Sequence, residues 1–219
     1  MITLNKKEFD HEIGLPTTLS NMFQVENGNV KSIDPAHVAV YFGKSILNDG
    51  GYIIPSNLKI GKKDNVQIES NDRMIINDGM EVIKIDEPVS SFPEIRVPRI
   101  ERDANFSFIS QCDVKQIVKF LKVAQKYTDY LIFDYVIGQF TIAYQDANVE
   151  SQKGKIKIDA LIGSGFPQTS MYPLEYLTDV FKAIEKVDDK VDIMLPTNGP
   201  LKISGNGYAF LIAPRIEND

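Results

Sequence analysis

The sequence predicts an α+β fold made of two similar β-sheet domains, each with helices on one face of its sheet. Three observations lead to this fold class. Short segments that alternate polar and apolar residues dominate the chain, glycine-containing turns join several of them, and only two segments have a convincing helical period. The order helix, strand, glycine turn, strand also occurs twice, from Lys6 to Ile33 and from Gln111 to Ala143, at an offset of about 110 residues.

The predicted strands are short and joined by tight turns. Asn27-Gly28 and Asp78-Gly79 supply the positive φ angles that two-residue hairpins require, and Gly138 and the segment 205–207 occupy equivalent gaps later in the chain. We therefore expect antiparallel pairing of neighbouring strands. The strands of the first half are predicted at Leu19–Val25, Val30–Ile33, Val38–Phe42, Val66–Glu69, Arg73–Ile76 and Glu81–Ile85.

Two amphipathic helices are predicted in the second half of the chain. The first runs from about Gln111 to Tyr127, with Ser110 and Asp113 as its capping box. The second runs from about Pro173 to Val187 and has proline in its first turn, where the missing N–H costs nothing.

Two shorter helices are predicted in the first half. Asn5 and Glu8 carry another capping signature, and Gly14 and Pro16 end that helix within about three turns. The segment Ser56–Lys63 is a weak candidate because Gly61 interrupts it.

A proline-rich segment separates the two halves. Pro88, Pro93 and Pro98 prevent a helix and disfavour a central strand, which predicts an extended connector. The predicted domains are residues 1–85 and 104–219, with an interdomain connecting loop at 86–103.

Composition and charge exclude several classes of protein. The 219 residues carry 24 basic and 30 acidic side chains, for a formal charge of −6, and no apolar run is long enough for a membrane span. Because the N-terminus lacks an apolar signal core and Cys112 is the one cysteine, we expect an intracellular protein without internal disulfides. With two histidines and no cluster of ligands, we expect no metal, no cofactor, no catalytic residues and no enzyme.

One helix face carries a distinctive charge pattern. At about 100° per residue, four lysines of the first long helix fall within a sector of about 60°, opposite Val114, Ile117, Phe120, Leu121, Ala124 and Tyr127, and no acid occurs between 114 and 128. A solvated face is the ordinary interpretation of such a row. In an acidic protein, however, an unpaired row of like charge favours a polyanionic partner such as a phosphate backbone. The row, which we call the lysine stripe, consists of Lys115, Lys119, Lys122 and Lys126.

The other predicted helices carry fewer lysines. Lys182 and Lys186 share their face with Glu175 and Asp179, Lys6 and Lys7 open the first helix, and Lys59, Lys62 and Lys63 lie in the weak one. Aromatic residues do not alternate with these lysines, so base stacking is not indicated. Sequence-independent contact with duplex DNA fits the pattern better.

Three stretches together resemble the DNA sliding clamp family, specifically proliferating cell nuclear antigen (PCNA) and its archaeal and viral relatives. Ser32-Ile-Asp-Pro-Ala-His-Val-Ala-Val40 is similar to the family's Met-Asp-x-x-His-Val-x-Leu strand. Tyr172-Pro-Leu-Glu-Tyr-Leu-Thr-Asp-Val-Phe-Lys-Ala183 is similar to its Tyr-x-Leu-x-Tyr-Leu helix. At the end of the chain, Pro200-Leu-Lys-Ile203 and Leu211-Ile-Ala-Pro-Arg-Ile-Glu217 resemble the closing strand and tail.

The resemblance implies a ring of three subunits whose helices line a central hole and whose sheets form the outer layer. Edge strands near Gly79–Asp86 and Lys153–Leu161 would pair between subunits. The residues implied to face DNA are Lys115, Lys119, Lys122, Lys126, Lys6, Lys7, Lys62, Lys63, Lys182 and Lys186. Those implied to form a groove for short partner peptides are Ile33, His37, Val38, Val40, Ile95, Val97, Pro200, Leu211, Ile212, Ala213 and Pro214.

The sequence therefore predicts a DNA polymerase processivity factor that encircles duplex DNA and tethers polymerase and other replication proteins. A clamp loader and two further copies of the chain are the other implied partners. It would act at replicating DNA, in the cytoplasm of a prokaryotic host or in a eukaryotic nucleus. Two alternatives remain at this point: a monomeric DNA-binding processivity factor, and a protein-interaction scaffold that does not bind DNA.

Overall fold

A computed structural model describes residues 2–36, 38–54, 66–68, 73–76, 81–84, 106–136, 139–145, 153–159, 168–196 and 199–215. The chain forms two compact units, Met1–Arg96 and Val97–Asp219. The predicted connector at 86–103 and the weak helix at Ser56–Lys63 lie outside the described residues, and the domain limits stay a prediction. Of the helices that the structure describes, none combines the length and the apolar character needed to cross a membrane.

The first unit contains eight described strands and one short α-helix. The strands pair antiparallel in the orders β1-β6-β7-β8 and β5-β2-β3-β4. Helix α1 continues into a π-helical turn at Asp10–Gly14 and, after Leu15, a 3-10 turn at Pro16–Thr18. The elements are β1 (Ile2–Leu4), α1 (Lys6–Phe9), β2 (Met22–Glu26), β3 (Asn29–Ile33), β4 (Ala39–Lys44), β5 (Gly50–Ile53), β6 (Val66–Ile68), β7 (Arg73–Ile76) and β8 (Glu81–Lys84).

The second unit repeats this plan with two long helices. Its strands pair antiparallel in the orders β9-β14-β15-β16 and β13-β10-β11-β12. The elements are β9 (Phe106–Asp113), α2 (Val114–Ala124), β10 (Tyr130–Val136), β11 (Gln139–Gln145), β12 (Lys153–Asp159), β13 (Gln168–Pro173), α3 (Leu174–Ile184), β14 (Lys190–Pro196), β15 (Leu201–Gly205) and β16 (Tyr208–Ile212).

The two units share one topology. In each, the first strand pairs with the sixth and the fifth strand pairs with the second, so each half of the unit contributes its leading strand to the sheet of the other half. This exchange ties the two halves of a unit into one core. The predicted fold class, two similar β-sheet domains with helices, is confirmed.

Local sequence explains how the elements begin and turn. Asn5 and Glu8 form the complete capping box predicted for α1. Asn27 and Gly28 have φ angles of 53° and 69°, the values that the predicted two-residue hairpin between β2 and β3 requires. Strand β2 starts at Met22 and not at Leu19, because the 3-10 turn occupies the chain just before it.

The predicted start of the first long helix is wrong. Gln111 to Asp113 belong to β9 and pair with β14, and α2 begins at Val114. Asp113 caps the helix alone, since its carboxylate accepts from the Gln116 N–H at 2.9 Å, whereas Ser110 lies in the strand. The helix also ends earlier than predicted, at Ala124.

The two long helices are anchored by reciprocal backbone bonds. The Val114 N–H at the start of α2 donates to the carbonyl of Asp189, which follows α3, at 2.9 Å. The Leu174 N–H at the start of α3 donates to the carbonyl of Asp129, which follows α2, at 2.8 Å. Each bond satisfies one of the N–H groups that a helix start leaves unpaired. The helices are thereby fixed side by side in the second unit.

Candidate nucleic-acid interface and partner surface

The exposed face of α2 carries the lysine stripe. Lys115, Lys119, Lys122 and Lys126 are all exposed. The buried positions are Val114, Ile117, Val118, Leu121 and Ala124. Phe120 and Tyr127, predicted to be buried, are half-buried and pack on the ring of Tyr144, each with a centroid separation of 5.5 Å.

Lys115 is not the unpaired charge that the sequence predicts. Its Nζ donates to Asp189 Oδ1 at 2.8 Å, and this bond raises the pKa of Lys115 above its usual value. The expectation of an unpaired row is therefore wrong at this position. The sequence of α2 contains no acid, but Asp189, which follows α3, lies close enough in the fold to pair with Lys115.

Within the described part of the chain, the other three lysines of the stripe lack such pairing. Among the residues that the structure describes, no carboxylate lies within 4.0 Å of the amines of Lys119, Lys122 or Lys126. These three lysines leave a concentrated positive charge on the exposed face of α2. Such a surface attracts an anionic polymer through long-range electrostatics.

The exposed face of α3 is mixed in sign. Lys182 and Lys186 are exposed, as are Glu175, Asp179 and Glu185. Desolvation raises the pKa of Asp179; the nearby Glu175 adds to the rise and Lys182 opposes it. With three acids and two lysines, the α3 face contributes little net attraction for an anion.

The lysines of α1 are divided between pairing and exposure. Lys6 forms an ion pair with Asp10 one turn later and lies 5.8 Å from the centre of the Phe9 ring, so part of its charge is compensated. Lys7 is exposed. Lys59, Lys62 and Lys63 lie outside the described residues, and the predicted contact of Lys62 and Lys63 with DNA stays a prediction.

The two long helices also contact each other through side chains. Gln125 Nε2, just after α2, donates to the Thr178 hydroxyl of α3 at 3.1 Å. Thr178 is buried. This bond joins a buried position of α3 to the residue that follows α2.

Part of the predicted partner groove lies on β3 and β4. Ile33 and Val40 are opposite each other in the strand register, and both are half-buried, as is Val38. The buried Asp34 carboxylate holds the turn between these strands by accepting from the Ala36 N–H at 2.8 Å and from the Ala39 N–H. His37, Ile95 and Val97 lie outside the described residues.

The other predicted groove residues lie in the second unit. Pro200 and Ala213 flank the last register pair of the β15–β16 hairpin, Leu201 with Ile212, and are half-buried like Pro214. Leu211 and Ile212 are buried. Their side chains therefore contribute to the core beneath this surface and not to the surface itself.

The described residues give little indication of a metal site or of a reactive cysteine. Within the described ranges, no group of three or more His, Cys, Asp or Glu residues is placed to hold a metal ion. Cys112 is buried in β9. What the arrangement offers is a cationic helix face and, in each unit, a few half-buried apolar positions.

Solved PCNA structures share the fold of this chain. The chain superimposes on PCNA from Thermococcus kodakaraensis with a TM-score of 0.73 at 18% identity, over 98% of this chain and 99% of that one. The A. fulgidus PCNA bound to the C-terminal region of FEN-1 gives a TM-score of 0.76 at 17% identity, over 100% and 99% of the two chains. A PCNA2–PCNA3 complex from Sulfolobus tokodaii gives 0.74 at 17% identity, over 98% of both chains. The fold is that of PCNA.

Sequence comparison leads to the same class of protein. The chain is 27% identical to the DNA polymerase sliding clamp of Methanosarcina barkeri over 225 aligned positions, which cover 89% of this chain and 87% of the relative. The clamps of Methanosarcina mazei and Methanosarcina acetivorans are 27% and 26% identical over the same shares. No protein-family model matches the chain. The predicted resemblance to PCNA-like sliding clamps is confirmed.

Proposed function

We propose that this protein is a DNA sliding clamp that encircles duplex DNA and tethers DNA polymerase and other replication enzymes to it. The observation that carries the proposal is the exposed face of α2, which concentrates lysines without an acid in its own sequence. In this role the protein holds DNA and leaves the chemistry to its partners. It acts inside the cell, at replicating DNA.

The number of lysines on α2 is compatible with a protein that slides along DNA. From Lys115 to Lys126 the helix rises about 16 Å, a length over which duplex DNA presents roughly ten phosphate charges. Three free lysines and one paired lysine neutralise only a minority of these charges. Contacts of this kind are weak and screened by salt. Closure of the ring around DNA, and not the affinity of the lysine–phosphate contacts, therefore keeps the protein on DNA.

The ring is a homotrimer closed through strand edges. β8 and β12 are terminal strands in their sheet orders and are the edges that would pair between copies. On β12, the exposed Lys153, Lys155 and Lys157 alternate with the buried Ile156 and Ile158. Like charges facing each other disfavour β12 pairing with another β12, which supports head-to-tail pairing and a closed ring.

Partner proteins bind through short apolar peptides. The half-buried Ile33 and Val40 on one unit and the half-buried Pro200, Ala213 and Pro214 on the other support this role. FEN-1, whose C-terminal region is bound to the A. fulgidus PCNA, illustrates the kind of partner. Polymerase and a clamp loader would also bind through short apolar peptides.

Charge reversal tests the DNA-facing role of α2. Lys119→Glu with Lys122→Glu should abolish stimulation of the cognate polymerase on primed circular DNA while leaving the mass of the oligomer unchanged. The matched control is Lys44→Glu with Lys190→Glu, which makes the same charge change at exposed strand positions. Undiminished processivity of the α2 variant, or an equal loss in the control, would count against the assignment.

A further inference from the structure

Arg215 contacts two neighbouring strands at once. Its backbone N–H donates to the Met171 carbonyl at 2.8 Å, and its guanidinium carbon lies 4.5 Å from the centre of the Tyr130 ring. Met171 belongs to β13, the terminal strand of its sheet order, and Tyr130 belongs to β10, the next strand inward. Arg215 thus holds the outer edge of β13 with its backbone and reaches β10 with its side chain.

The face on which this contact forms is opposite the core. Along β10, the buried Leu131, Phe133 and Tyr135 alternate with positions that are half-buried, and Tyr130 is one of these. Successive side chains of a strand point to opposite faces, so the Tyr130 ring lies on the outer face of the sheet. A guanidinium stacked there keeps its contact with water, which agrees with the exposure of Arg215.

A second bond from β13 fixes a different segment. The hydroxyl of the buried Tyr172 donates to the Gly199 carbonyl at 3.2 Å, and the Tyr172 ring packs edge-on against Phe133 at 5.1 Å. Gly199 immediately precedes Pro200. Met171 and Tyr172 are adjacent in β13. The Met171 carbonyl therefore fixes the chain at Arg215, and the neighbouring Tyr172 hydroxyl fixes the segment that carries Pro200.

We infer that Arg215 and Tyr172 are positioning residues for the partner-peptide surface of the second unit. This inference rests on the proposed function. The two half-buried segments, Pro200 and 213–214, form a fixed apolar surface only while both bonds from β13 hold. A segment that is ordered before binding loses less conformational entropy when the peptide arrives, which strengthens binding without any direct contact.

The stacking of Arg215 on Tyr130 should have a measurable effect on affinity. An exposed cation–π contact corresponds to about a two- to five-fold change in an equilibrium constant. Arg215→Gln and Tyr130→Leu should each weaken peptide binding by about that factor, and the double variant should be no weaker than either single one. Tyr130→Phe keeps the aromatic ring and should bind the peptide as tightly as the unaltered protein does. Tyr172→Phe removes only the hydroxyl and should also weaken binding.

The experiment uses fluorescence polarisation with a synthetic peptide copied from the C-terminal region of FEN-1, together with hydrogen exchange at the backbone amide of position 215. Weaker binding should accompany faster exchange at that amide in Arg215→Gln and Tyr130→Leu, with unchanged oligomer mass and thermal midpoint. Unchanged affinity, or additive losses in the double variant, would overturn the inference. If the unaltered protein bound no peptide, the tethering role would fail, and unchanged amide exchange in these variants would separately refute the contribution of Arg215.

Discussion

The ammonium group of Lys115 lies 2.8 Å from the Asp189 carboxylate, across 74 residues of sequence. Asp189 follows α3, and its backbone carbonyl also accepts the N–H of Val114, the first residue of α2. Asp189 therefore pairs with the first backbone N–H of the helix that carries the lysine stripe and neutralises the first lysine of that stripe. The cationic surface that we propose to face DNA is centred on Lys119, Lys122 and Lys126.

Removing the Asp189 carboxylate should strengthen DNA contact. Asp189→Asn keeps the backbone bond to Val114 but releases Lys115, so the dependence of DNA binding on salt should become steeper, by about 0.9 in the logarithmic slope for each Lys115 that engages a phosphate. Fluorescence anisotropy with a short duplex over a salt series measures this slope. A slope unchanged from the unaltered protein would show that Lys115 does not face DNA.

Asp113, not Ser110, should control the stability of α2. Asp113→Ala removes the side-chain cap from the Gln116 N–H and should cost about 1 kcal/mol of unfolding free energy. Ser110→Ala is the matched control because Ser110 lies in β9. Urea denaturation of both variants distinguishes them; a larger loss for Ser110→Ala would contradict the helix start at Val114.

Gly154 is required by the packing of Tyr144. A Cβ at Gly154 would lie 2.5 Å from the Tyr144 ring, which has little freedom to move because it packs against Tyr127 and Phe120. Gly154→Ala should therefore destabilise the protein by about 1–3 kcal/mol. At Gly50 the added Cβ would make an ordinary contact at 3.8 Å, so thermal denaturation of Gly50→Ala should show a clearly smaller loss.

Glu12 should contribute to stability only above the acid range. Burial alone would raise its pKa, but hydrogen bonding with His11 and bonds from the Ile46 N–H and the Ser45 hydroxyl lower it below the usual value of 4.5. A carboxyl group with a lowered folded-state pKa contributes stability that is present above the unfolded-state pKa and is lost as pH falls through the folded-state pKa.

Replacing this carboxyl should flatten the acid limb of the stability curve. Glu12→Gln should be less stable than the unaltered protein near neutral pH, and the difference should shrink from about pH 5 downward. Urea denaturation at a series of pH values measures both curves. A constant difference across the series would show that the Glu12 charge is not involved.

Local signals accounted for much of the fold. Asn27-Gly28 predicted its hairpin because few residue pairs accept two positive φ angles, and Asn5 with Glu8 predicted α1 because the two caps are reciprocal. The predicted start of α2 was wrong because the preceding strand, β9, pairs with β14 as far as Asp113. Pairing with a strand that is distant in the sequence leaves no pattern in the residues near the helix start.

The candidate sites show the same division. The helix period predicted which face of α2 is exposed, but no pattern within α2 could reveal Asp189, whose position depends on how α3 ends. The burial of Leu211 and Ile212 was also missed, because every residue of β16 is buried, so neither alternate set of its side chains is exposed. Burial on both faces removes the alternation on which such a prediction depends.

The mass of the protein in solution tests the ring most directly. Sedimentation equilibrium over a range of concentrations should give about three times the 24.6 kDa of one chain if, as we propose, β8 and β12 edges pair head to tail in a ring of three copies. A mass of one chain at every concentration would contradict encirclement of DNA by this protein.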